Sequence, residues 1–257
     1  MRKISKVSML HYIKLVYRTV LFLLALYWYI FHKSNNLNIS IRNISWDVKI
    51  DWFVYIIDFI YVIEMILRLI PSSLESPGCQ KVFRKNYKPT GKTDIEIQDN
   101  HATVMVAILW VIGNAFIGGL YMVKIIDEGI LWLICLLYGI FDMICILFYC
   151  PFQTWFMKNK CCTQCRIYNW DYAMMFTPLF FIPSVGTWSI LAIALVILLK
   201  WEYTAWKYPE QFSENTNEYL KCRNCNEKLC LHKRQLSSLR VRINELTAET
   251  AKRILKK

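Results

Sequence analysis

Residues 167–206 read IYNWDYAMMFTPLFFIPSVGTWSILAIALVILLKWEYTAW, and the number of times this stretch crosses a bilayer decides the fold. One helical crossing takes about 20 apolar residues. Residues 166–200 already number 35, with Pro183-Ser184-Val185-Gly186 near their middle. Residues 167–182 give about 24 Å of helix at roughly 1.5 Å per residue, a short crossing bent at Pro178. Residues 187–206 give a full one. The expectation is therefore a hairpin of two spans joined by a Pro-Gly turn.

Charge counting supports the hairpin. The chain carries a formal charge of +12 and is 56% hydrophobic, with the apolar residues in long blocks and the charges between them. That is the pattern of a polytopic membrane protein, and cytoplasmic loops hold the excess of Lys and Arg. With six spans, segments 1–14, 68–101, 150–171 and 200–257 lie inside and hold 4, 6, 3 and 13 Lys plus Arg. Segments 32–51, 124–129 and 183–187 lie outside and hold 3, 1 and 0. With five spans the 13 positive charges of the tail would lie outside. The predicted fold is thus an all-α bundle of six spans, at about 15–31, 52–70, 102–123, 130–149, 167–182 and 187–206, with both termini inside. Residues 1–207 form the transmembrane domain and 208–257 a basic cytoplasmic tail.

The remaining spans carry polar residues at depth. The first reads as retained rather than cleaved, because no small-residue cleavage site follows it. Arg18 lies near its cytoplasmic end and is expected to snorkel. The second holds Asp58, Glu64 and Arg68, the last two spaced for an i, i+4 pair. Asn114 is central in the third, where Ala115 and Gly119 offer a face for close helix approach. Asp142 lies in the fourth and Asp171 in the fifth, both toward the cytoplasmic ends. Asp58, Glu64, Asn114, Asp142 and Asp171 are the candidates for an ion or proton path, since a charge at mid-membrane costs roughly 2.5–3.5 kcal/mol and must face protein or water. Asn169 and Asp171 are further candidates for contacting a substrate. Trp170, Tyr172, Trp201, Tyr203 and Trp206 read as an aromatic belt.

Two cysteine clusters flank the hairpin, Cys161-Cys162-Thr163-Gln164-Cys165 and Cys222-Arg223-Asn224-Cys225 followed by Cys230. Each contains a Cys-x-x-Cys, the spacing at which one turn directs two thiolates at one metal. The charge count independently puts both on the cytoplasmic face, where thiols stay reduced. Cys162, Cys165, Cys222 and Cys225 are the expected ligands of a four-cysteine metal site, with Cys161, Cys230 and Cys150 as additional candidates. Structural zinc is the first choice. An iron–sulfur cluster is the second, although neither cluster has the ferredoxin spacing. A dithiol relay is the third. Cys135 and Cys145 lie in apolar runs and read as small hydrophobes. Cys79 stands alone in a loop.

Residues 235–257 have helical apolar spacing among basic residues, which suits the anionic inner leaflet or a protein partner equally. A second copy of the chain is another compatible partner, and nucleic acid is not indicated. Asn38-Ile39-Ser40 and Asn43-Ile44-Ser45 match the glycosylation pattern. The four histidines, His11, His32, His101 and His232, fall at or outside the predicted span ends, which argues against a bis-His haem. No P-loop, nucleophile elbow or His-Glu-x-x-His is present. The functional expectation is a transporter, channel or membrane-anchored interaction module in the plasma or cytoplasmic membrane, stapled by zinc. The alternative is a membrane redox protein.

Overall fold

The computed structural model describes residues 6–34, 52–71, 77–95, 100–157 and 165–224. Cys161, Cys162, Cys225, Cys230, the glycosylation motifs and the amphipathic stretch 235–257 lie outside the described residues. The described chain is helical, without strands: α1 Lys6–Ser34, α2 Trp52–Leu69, α3 Pro77–Val82, α4 Asn100–Met122, α5 Glu128–Leu147, α6 Asp171–Phe176 and α7 Val185–Lys207. Among the described residues, four helices are long and apolar enough to cross a membrane: Ser8–Phe31, Asn100–Met122, Glu128–Leu147 and Val185–Lys207.

The other two expected spans differ from these, one in charge and one in regularity. The helix α2 has only 18 residues and carries Asp58, Glu64 and Arg68. The expected continuous helix 167–182 is instead three short pieces: a 3-10 turn Arg166–Trp170, then α6, then a 3-10 turn Thr177–Phe181. Pro178 at the start of the last piece has no N–H to continue an α-helix, so the chain tightens there. The turn that follows fits the sequence. Ser184 and Thr187 close it through Ser184 N–H to Ile182 O (2.8 Å) and Thr187 Oγ1 to Ile182 O (2.7 Å). The first helix begins well before residue 15, because residues 6–14 continue the same helix.

The helices keep their polar residues on the inner face, among large apolar ones, and turn an apolar surface outward. Along α1, Ser8, His11, Arg18, Ala25 and Tyr29 are buried, whereas Val16, Val20, Leu23, Tyr27 and Ile30 are exposed. Along α2, Ile57, Tyr61, Met65 and Arg68 are buried, and Ile56, Phe59, Ile63 and Ile66 are exposed. Both buried sets recur every three to four residues, or at the double step of seven, as one helix face requires. Outward apolar faces of this kind are compatible with a bilayer around the helices. The core itself gathers Tyr61, Met65, Leu131, Leu136, Phe176 and Leu179. Tyr61 and Phe176 meet edge to face at 5.4 Å. The close helix approach occurs at Gly118 rather than at the expected Ala115 and Gly119. A Cβ at Gly118 would overlap the Phe181 ring, whereas Gly119 faces open space.

Contacts fix the direction of each segment. Down the α1/α5 pair, Tyr29 meets Asp127, Arg18 meets Gly139, and Tyr12 meets Phe148, so the two helices are antiparallel. The far end is closed by Lys33 and Tyr29 on Asp127, whose carboxylate also caps α5 by accepting from Ile130 N–H at 3.0 Å. At the near end, residues 88–90 join 216–218. Glu218 N–H donates to Lys88 O at 2.8 Å, and Thr90 N–H donates to Thr216 O at 3.0 Å. Asn217 is fully buried there; its amide donates to Lys81 O (3.1 Å) and Gln211 O (2.9 Å) and accepts from Tyr219 N–H (3.1 Å). The loop after α2 and the tail after α7 therefore share one end of the bundle. Arg166 reaches Glu202 of α7 at that same end, 2.6 Å away. Cys165 and the backbone of Cys222 thus belong to the same end. Cys79 falls in α3 rather than in a loop.

Candidate functional site

A buried guanidinium organises the centre of the bundle. Arg18 is 2% exposed, so it does not snorkel. Position 18 is one heptad from His11 and from Ala25, and this register turns its side chain inward rather than toward the membrane edge. Its guanidinium donates to Glu64 Oε2 (2.8 Å), Asp142 Oδ2 (3.3 Å) and Gly139 O (2.9 Å). It also lies 5.6 Å from the Tyr61 ring centre and 6.0 Å from that of Tyr172, in cation–π geometry. Glu64 accepts a further bond from Tyr172 Oη at 3.0 Å and stands 3.9 Å from Lys14 Nζ.

Arg68 forms the second half of the cluster. It pairs with Asp171 at 3.1 Å and donates to Tyr168 O at 3.4 Å, between the rings of Tyr168 and Tyr172. The ion pairs thus run between helices: Glu64 joins Arg18 of α1, and Arg68 joins Asp171 of α6, one helical turn along α2. Three cations (Lys14, Arg18, Arg68) face three carboxylates (Glu64, Asp142, Asp171), so the cluster is formally neutral. Neutrality is what a low-dielectric interior demands, since an unpaired buried ion costs several kcal/mol. Asp142 and Asp171 are ion-paired at this centre rather than interfacial.

Of the five intramembrane candidates, the structure brings Glu64, Asp142 and Asp171 together and leaves two apart. Asp58 has a buried Oδ1 without a hydrogen-bond partner among the described residues. Asn114 is buried, donates to Trp110 O at 2.9 Å, and keeps an Oδ1 unpartnered among the described residues. His11 is buried and lies in the first turn of the first candidate span, three residues after Ser8. Tyr172 and Trp201 belong to the core rather than the aromatic belt, whereas Tyr203 and Trp206 are exposed. Trp170 donates its indole N–H to Glu202 at 2.7 Å. Asn169 is buried.

Against the carboxylate side of the cluster lies a cavity of about 360 Å³. Its wall is aromatic and aliphatic, with Trp110, Tyr138, Phe141, Tyr149, Phe152 and Met174. Asp142 and Asp171 also line it, as do Cys145, Cys150 and Cys165. Phe141 and Tyr149 are exposed and stand at its rim. Trp110 is fixed over the cavity by its N–H to Thr177 Oγ1 (3.2 Å) and by the Tyr138 ring at 4.8 Å. Cys165 packs against Val106 and Ile167. Among the described residues, no three His, Cys, Asp or Glu side chains are close enough to hold a metal ion.

Gly139 keeps the cluster compact. A Cβ there would meet Met175 Sδ at 2.8 Å and Tyr61 Oη at 3.3 Å, with Arg18 Nη1 at 3.8 Å. Gly139→Val is expected to force these groups apart and to destabilise the detergent-solubilised protein by about 1–3 kcal/mol, the usual cost of overpacking. Gly119→Val, in open space, is expected to leave the thermal midpoint nearly unchanged; equal effects at the two sites would contradict this packing. No protein-family model, no curated protein and no solved structure matches the chain.

Proposed function

We propose that the chain is an integral membrane protein that takes an amphiphile from the bilayer into the cavity beside Asp142 and Asp171. The apolar part of the ligand lies against Trp110, Tyr138, Phe141 and Met174. Its polar head faces the two carboxylates, which Arg18 and Arg68 hold in place. The single observation that carries this reading is the cavity itself: about 360 Å³ of largely apolar wall with two anchored carboxylates. That volume lies in the range of small-molecule sites, roughly 300–1,000 Å³, where a few fixed polar groups orient an otherwise apolar ligand. The exposed rim residues Phe141 and Tyr149 offer entry from the lipid side. The protein is then a carrier or receptor of amphiphiles, within the transporter and interaction-module classes that its span pattern allows. In this reading α2 and residues 166–181 cross the bilayer with the four apolar helices, which gives six spans.

The test is the organic extract of the purified full-length chain. An amphiphile at about one per chain is expected, falling at least ten-fold in Met174→Trp, which fills the cavity. Ile112→Trp, on the exposed face of α4, is expected to retain it. Loss in both variants, or in neither, would contradict the assignment.

The cysteine clusters act in this reading as a structural zinc staple through Cys162, Cys165, Cys222 and Cys225. Its support is positional: the residue after Cys165 is tied to Glu202 of α7, and Cys222 comes two residues after Leu220, which is buried in the same core cluster as Trp201 of α7. Four thiolates fit tetrahedral zinc, and such binding contributes directly to folding. Metal analysis of anaerobically purified protein is expected to give one zinc per chain and no visible colour, with the zinc lost in Cys222→Ser/Cys225→Ser. Brown protein with iron and labile sulfide would establish the redox alternative, and freely reactive thiols without metal would remove the staple.

A further inference from the structure

Beyond the cavity, we infer that the near end of α7 and the turn after α3 form a binding site for the headgroup of an anionic phospholipid. The inference rests on the membrane placement but not on the cavity. Lys200, Tyr203 and Lys207 are spaced i, i+3 and i+7, so they share one face of α7. Arg84 and Phe83 come to the same region from the other segment. The Arg84 guanidinium lies 5.3 Å from the Tyr208 ring centre, and Lys207 Nζ lies 5.6 Å from that same centre. Lys207 also donates to Tyr203 Oη at 3.1 Å. Lys200 Nζ lies 5.7 Å from the Phe83 ring centre and 5.9 Å from that of Trp201, and donates to Leu69 O at 3.4 Å.

Three exposed cations are thus held by aromatic rings and a carbonyl rather than by acids. None of them has a carboxylate partner among the described residues. Of the described acids on this side, Glu202 is engaged with Arg166 and Trp170 and Glu218 with Lys221 and Arg223, while Glu210, two residues after Tyr208 in the chain, forms no ion pair with the three cations. An aromatic seat orients a cation without neutralising it, so the positive potential remains available to an anion. The flanking Tyr203 and Trp206 are 54% and 77% exposed at the end of a candidate span. Amphipathic rings at that position mark the headgroup level of a bilayer. An anion reaching this level beside exposed aromatics is a lipid phosphate, which selects the phospholipid over a soluble acidic partner. Lys and Arg at the surface of an anionic leaflet each add attraction of this kind.

The experiment counts lipids bound to the full-length chain by native mass spectrometry after equal exposure to phosphatidylglycerol or phosphatidylcholine. Phosphatidylglycerol is expected to be retained in preference. Arg84→Gln/Lys200→Gln/Lys207→Gln is expected to lower its retention at least ten-fold, and Lys207→Gln alone about five-fold, a smaller change at an exposed side chain that the fold tolerates. Lys124→Gln, at the opposite end, is expected to leave retention unchanged. Equal retention of the two lipids, or undiminished retention in both the triple and the single variant, would overturn the inference. Complete displacement by millimolar inorganic phosphate would also overturn it, by making the site one for the free anion. Met174→Trp is expected to keep the phosphatidylglycerol preference, so failure of the cavity assignment and failure of this one are separable.

Discussion

The buried Arg18 guanidinium is the constraint on which the arrangement depends. A guanidinium cannot shed its charge, so its position dictates what surrounds it. It collects Glu64 from α2 and Asp142 and Gly139 O from α5, and through Glu64 it reaches Tyr172 of α6. Arg68 then ties α2 to Asp171 of α6. Four helices meet at one neutral cluster, and their relative rotation follows from it. In an apolar surrounding, hydrophobic burial does little to specify which helix faces meet, because lipid is as apolar as leucine. Buried polar contacts supply that specificity here: a rotation of α1 that took Arg18 out of the bundle would leave Glu64 and Asp142 without their main partner.

The same logic recurs at the near end with neutral groups. Asn217 connects residues 81 and 88, on one side of the bundle's sequence, to 211 and 219 on the other. A buried carbonyl left without its donor costs about 1–3 kcal/mol, so this one side chain holds the loop after α2 to the tail after α7. The two polar centres differ: one is ionic and deep and holds α6 through Tyr172 and Asp171, the other is an amide at the periphery. The irregular segment around α6 lines the cavity through Ile167, Tyr168, Asp171, Met174 and Met175.

Much of this was legible in the sequence, and the misses have physical causes. Apolar blocks and their lengths located the long helices to within a few residues, except for α1, whose first turns carry lysines and a histidine. The Pro183–Gly186 turn was readable as the break before α7. Glu64, Asp142 and Asp171 stood out because carboxylates inside apolar runs are costly. Arg18 did not, because snorkelling is the usual fate of a long cation near a span end; only its heptad register with His11 and Ala25 hinted at burial. The i, i+4 spacing of Glu64 and Arg68 suggested a local pair, yet spacing says nothing of stronger partners on other helices. Pro178 signalled a bend but not the conversion of its neighbourhood to 3-10 geometry. Asn217 carried no signal, since its role exists only when distant loops meet.

The central claim, that Arg18 and Glu64 stabilise the bundle as a compensated pair, is tested most directly by a double-mutant cycle on unfolding in detergent. Arg18→Met alone is expected to cost about 3–5 kcal/mol, because it leaves buried carboxylates uncompensated. Adding Glu64→Gln is expected to recover part of that loss, with a coupling of about 1–3 kcal/mol. Additivity of the two substitutions within about 0.5 kcal/mol would contradict the account, because the two charges would then act independently.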